Sequence, residues 1–330
     1  MTEAVSVNKE LSIKLGLVVR KLKFRDEFLK RPFIDSPLSD ELKASMFFYA
    51  VGICHQTYHL AHPTKNLYGW DYLEDGFLKI AQEQSELLDC HYLSKLDPES
   101  LAPLISPYFS PDGLIENCSL DRLEERCQLW IDMALFLEKK ETTFLEFIKS
   151  SNGIPDYFYG QLSEAEAYSD PLLKKTSFLM KLLEDGKLIR FKDQDQIIPI
   201  MDYHMQRVLL RTGAIEVNDP KLKSSLQKKE KIQSDIKLRE ACIESMKIIA
   251  QSSEYSVLKM NDVFYTMGRS CCHENPVCVH PHTCDKSPCS LSLAVEIPQT
   301  HSCIFEEICF GAKSDDYKSL WQPQIETHFY

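Results

Sequence analysis

Asp202, His204, Arg207 and Arg211 fall within the stretch from Ile197 to Gly213, IIPIMDYHMQRVLLRTG. An apolar run carrying Pro199 stops at Asp202, and Met205, Val208 and Leu209 then recur at helical spacing. The pattern predicts a buried helix that begins there, with Asp202 as its N-cap. A capping carboxylate accepts the first free backbone N–H groups and feels the positive end of the helix dipole, which holds it ionised. A carboxylate fixed and ionised in this way suits catalysis. His204, Arg207 and Arg211 form a polar stripe at spacings of three and four. An ordinary cap with a solvated basic face is the plain alternative.

A second concentration of reactive side chains lies near the C-terminus. Seven of the twelve cysteines fall between Cys271 and Cys309, and such clustering in an intracellular chain favours metal ligation over disulfides. Soft thiolates suit an iron–sulfur cluster or zinc equally, and His273, His280 and His282 could complete a mixed zinc shell.

The rest of the chain has to position these groups. Its 330 residues can bury a substantial core, in one large domain or two closely packed ones. A formal charge of −11 and a pI near 5.4 count against broad binding to a phosphate backbone, though a local basic cleft stays open. Neither a secretory signal nor a membrane-length apolar run is evident, so a cytoplasmic or organelle-internal protein is expected.

Along the chain, Leu11 to Leu29 reads as an amphipathic helix and the run from Met46 as a buried one. His55, His59 and His62 follow at spacings of four and three, a weak metal pattern that Pro63 ends. Trp70, Asp71 and Tyr72 could line a pocket or simply pack the core. Asp170-Pro171 reads as an N-cap followed by proline, opening a helix that bears Lys174 and Lys175 near its start. One long helix is expected from Asn218 to Ala250.

The pattern Asp-Tyr-His-x-x-Arg-Val-x-x-Arg-x-Gly, from Asp202 to Gly213, resembles the catalytic-aspartate segment of the helix-hairpin-helix glycosylases of the endonuclease III type. It is also similar to the Asp-Tyr segment of the queuosine salvage family, the queuosine 5′-phosphate N-glycosylases. The order of the aromatic helix with Cys54, the Gly-Trp helix, the Asp-Pro-Glu-Ser start at Asp97, the Arg122 segment, Leu172-Leu-Lys-Lys and Ile236-Lys-Leu-Arg-Glu extends this likeness over roughly residues 40 to 250. Gly-Arg-x-x-Cys at Cys272 and Cys-x5-Cys at Cys303 and Cys309 resemble the ends of the [4Fe-4S] loop of endonuclease III. Between those ends the spacing departs from the pattern, and the Gly-x-Gly hairpin with which DNA glycosylases hold phosphate is missing.

The resemblance implies an all-α, two-lobed DNA-glycosylase-like fold, with a helical domain over residues 1–260 and a cysteine-rich metal segment with its tail over 261–330. It implies an N-glycosylase releasing a nucleobase from a free nucleotide or nucleoside, modified or not, with Asp202 and Lys174 catalytic. Trp70, Asp71, Tyr72, Tyr203 and His204 are the residues expected to bind substrate. The implied cofactor is a [4Fe-4S] cluster on Cys272, Cys303, Cys309 and a fourth ligand, Cys289 ahead of Cys284 and Cys278, with zinc as the alternative. The partner is a small-molecule substrate, with duplex DNA a lesser prospect and no membrane. A DNA-repair glycosylase and an inactive metal-stabilised binding protein are the competing readings.

Overall fold

The computed structural model describes residues 3–279, 289–297 and 302–330. Cys284, His280 and His282 lie outside the described residues. The fold is all-α, with two small two-stranded antiparallel sheets among the described residues. No helix of the described residues is long and apolar enough to cross a membrane. The chain divides into two compact units, one formed by Met1–Phe28 and Ile197–Glu326, the other by Leu29–Gln196 and Thr327–Tyr330.

In the first unit the helices Lys9–Arg20 and Ile236–Ser253 pack along one another. Asn8 caps the earlier helix by accepting a hydrogen bond from the Leu11 N–H at 3.0 Å, and the Ser12 and Ser245 hydroxyls meet at 2.8 Å across the pair. A strand Val5–Val7 pairs antiparallel with Ile215–Val217, Ser6 opposite Glu216. The helix Tyr203–Thr212 packs against Val257–Ser270, which runs through position 260. It ends at Gly213, whose φ of 84° is the left-handed conformation that glycine adopts without strain.

Two helix expectations need correction in this unit. The first helix stops at Arg20, where the Lys21 and Leu22 N–H groups turn back onto the carbonyls of Val18 and Val19. The stretch from Asn218 is two helices, Pro220–Lys228 and Ile236–Ser253, because Lys229 takes a left-handed φ of 58° and the Ile232 N–H bonds the Gln324 carbonyl at 2.9 Å. A charged surface pattern continues across such a break, so periodicity alone does not reveal it.

The second unit is built around the helix Asp40–Gly52, capped by Ser39 and buried from Ala44 to Gly52. Trp130, on the helix Leu123–Lys139, stacks between Tyr49 and Phe77 at centroid distances of 5.8 and 4.7 Å. Because the first of these helices ends at Gly52, His55, His59 and His62 do not share a helix face. The helix over Lys174–Asp185 also begins later than expected. Leu173 is left-handed, with φ 59°, so Asp170 caps a turn instead, accepting from the N–H groups of Leu172 and Lys174 at 3.0 and 2.9 Å.

Candidate functional site

Asp202 is the N-cap of the helix Tyr203–Thr212, and its Oδ1 accepts the Met205 N–H at 2.9 Å. Ile200 and Met201 bury the chain before it and Met205 and Val208 the helix after it, which leaves the carboxylate itself only 8% exposed. Half-buried aromatic rings gather at the first turn of this helix. Tyr203 and His204 lie 4.2 Å apart between centroids, and Tyr265, from the helix Val257–Ser270, meets His204 edge-on at 5.4 Å. A buried carboxylate at a helix N-terminus, flanked by rings, can face a developing cation and an unsaturated base together.

Gly268 makes this close approach possible. A Cβ there would sit 2.6 Å from the His204 carbonyl oxygen, so only glycine lets the two helix backbones meet at this level. The glycine of the Gly-Arg-x-x-Cys pattern therefore has a packing reason that stands apart from any metal.

The polar stripe is not a solvated face. Arg207 and Arg211 are 3% and 5% exposed and are consumed by backbone carbonyls. Arg207 donates from Nε to the Cys272 carbonyl at 2.8 Å, from Nη2 to the Gly268 carbonyl at 2.6 Å, and from Nη1 to Gln322 Oε1. Its Nη2 also meets His204 Nδ1 at 3.1 Å. Arg211 donates to the carbonyls of Leu320 and His273, and its Nη1 lies 3.8 Å from Cys272 Sγ. Both guanidiniums and the Lys229 ammonium face the Trp321 ring, at 4.6, 5.2 and 4.4 Å from its centroid. Burial lowers the Arg207 pKa, which the neighbouring Cys272 opposes.

The cysteines separate into two groups. Cys309 Sγ donates to the Arg211 carbonyl at 3.5 Å, so this one arginine touches both Cys272 and Cys309. Burial raises the Cys303 thiol, and Cys272, Cys309 and Cys278 push it in the same direction. Burial likewise raises Cys309 to about 11, with Cys272 and Cys278 adding to the shift. Cys272 and Cys278 thus act on Cys303 and Cys309 alike. Cys289 meets Cys271, the neighbour of Cys272 in the chain, and the hydrogen bond between them lowers its thiol to about 5. Among the described residues no three His, Cys, Asp or Glu side chains are arranged to hold a metal ion. The gathered sulfurs match a thiophilic metal in donor type, not in finished geometry.

In the second unit Lys174 is 6% exposed, with Nζ 3.6 Å from Cys54 Sγ and 5.1 Å from the centroid of Phe178. Trp70 meets the same Phe178 ring at 4.9 Å and donates its indole N–H to Glu74. Trp70 and Tyr72 are both packed in the interior, while Asp71 is half-buried in the first turn of the helix Trp70–Glu83. Lys175 is fully buried and donates to the Gly52 carbonyl, and Arg126 donates to the carbonyls of Ile53 and His55. These two cations satisfy the C-terminal end of the helix Asp40–Gly52. A surface groove of about 510 Å³ lined by His62, Lys65, Lys79 and Tyr108 contains neither Asp202 nor Lys174 nor any cysteine.

Tyr265, Gln322 and Trp321 join the neighbourhood of Asp202 and Cys272 only through the fold. No periodicity links them to either. The Lys175 and Arg126 roles were equally hidden, since each reads as a charge on a helix surface. No protein-family model matches this chain, and no curated protein does.

Proposed function

We propose that the chain is an N-glycosylase that hydrolyses the N-glycosidic bond of a free nucleotide or nucleoside, most similar in kind to the queuosine 5′-phosphate N-glycosylases. The observation that carries this reading is the buried N-cap carboxylate of Asp202 beside the rings of Tyr203, His204 and Tyr265. As the base departs, positive charge grows at the sugar C1′. The Asp202 carboxylate stabilises it electrostatically and takes a proton from the attacking water. The rings stack on the base, as aromatic side chains do in nucleotide pockets. Lys174, in the second unit, takes its proposed role from the resemblance alone.

Cys272, Cys303 and Cys309 are the proposed donors for a [4Fe-4S] cluster or zinc, and the influence of Cys278 on the thiols of Cys303 and Cys309 favours it over Cys289 as the fourth. Such a group would supply structure, pinning the cysteine segment onto the Asp202 helix. The same cysteines favour, as a second reading, an iron–sulfur DNA glycosylase, against which the charge of −11 weighs. Base release from free nucleotides and from damaged duplex DNA, in the wild type and in Asp202→Asn, tests both readings.

A further inference from the structure

We infer that His204 is a neutral imidazole carrying its proton on Nε2, and that Arg207 is the positioning residue that sets this tautomer. Arg207 Nη2 lies 3.1 Å from His204 Nδ1. A guanidinium has donors and no acceptor, and it stays protonated in proteins. Two donors cannot share one hydrogen bond, so Nδ1 must present its lone pair and the single proton of the neutral ring must sit on Nε2. A reversed ring would put a C–H against the arginine N–H and forfeit the bond.

Arg207 has no freedom to turn away. The carbonyls of Gly268 and Cys272 and the amide of Gln322 each accept another of its N–H groups, and Trp321 covers its plane. The imidazole is fixed as well, between Tyr203 and Tyr265, over a glycine that allows its backbone to sit close. The cysteine segment thereby orients a ring two residues from Asp202 through one guanidinium.

The consequence rests on the N-glycosylase reading. An imidazolium beside Asp202 would repel the positive charge that the carboxylate is placed to stabilise. A neutral ring does not.

The test is ¹⁵N NMR of histidine-labelled full-length protein near neutral pH, with the His204 signals assigned by their loss in His204→Gln. The expected pattern is a neutral ring with Nε2 protonated and Nδ1 bare. An Nδ1-protonated ring or an imidazolium would overturn the inference. In Arg207→Lys the pure tautomer should give way to a mixture, and its persistence there would remove Arg207 from the account. If that variant does not fold, the wild-type spectrum alone still decides. The spectrum does not depend on turnover, so a protein with the expected tautomer that releases no base would sink the glycosylase reading and leave this assignment standing.

Discussion

The Arg207 guanidinium donates from Nε to the backbone carbonyl of Cys272 across 2.8 Å, which makes the helix begun by Asp202 and the segment bearing the cysteines one bonded structure. The same side chain reaches Gly268, Gln322 and His204, so the candidate carboxylate, the imidazole and the cysteines share a single anchor.

Arg207→Met should therefore destabilise the fold by about 2–4 kcal/mol, because it leaves buried carbonyls without donors. Urea unfolding measures this. A loss within experimental error of zero would mean that the carbonyls find other partners.

Gly268→Ala adds a Cβ 2.6 Å from the His204 carbonyl, and the two helices must separate to take it. The expected cost is about 1–3 kcal/mol, as for other overpacked sites. A variant as stable as the wild type would contradict the close approach.

The two cysteine groups predict different metal behaviour. Cys278→Ser should strip iron or zinc from the purified protein, whereas Cys289→Ser should retain it, as read by metal analysis and visible absorption. The reverse result would return Cys289 to the ligand set and break the grouping.

Lys175 predicts a pH dependence of stability. Burial lowers its pKa from 10.5 to about 7 in the folded chain, so below 7 both states are protonated and the cost of the buried charge is fully present. Above 7 the folded lysine is neutral while the unfolded one still binds a proton, so stability rises with pH up to about 10.5. The slope is at most about 1.4 kcal/mol per pH unit. Lys175→Met should remove this rise when urea unfolding is compared on either side of neutrality. An identical slope in the variant would assign the effect to other groups.

Asp202 as an N-cap was readable from the apolar run that halts there and the helical spacing beyond it, because a cap is a local device. The roles of Arg207 and Arg211 were not. Their spacing is that of a surface stripe, and only the return of residues 268–273 and 320–322 to the same place turns them inward. The fourth cysteine of the ligand set is hard to read from sequence for a related reason. Sequence spacing ranks Cys278 and Cys289 by motif, while the fold sets Cys289 against Cys271. Lys174 was expected near a helix start and is there, but the left-handed Leu173 that delays the helix has no signature in composition.

The most direct test of the central claim is base release from queuosine 5′-phosphate and other free nucleotides, followed by chromatography, with the wild type and Asp202→Asn. Asparagine caps a helix about as well as aspartate, so the variant should keep its fold and lose only the charge. The account predicts release by the wild type and a fall of roughly 100-fold or more in Asp202→Asn, the scale on which single transition-state stabilisers act. Release that persists undiminished in the variant, or that occurs only from damaged duplex DNA, would contradict it.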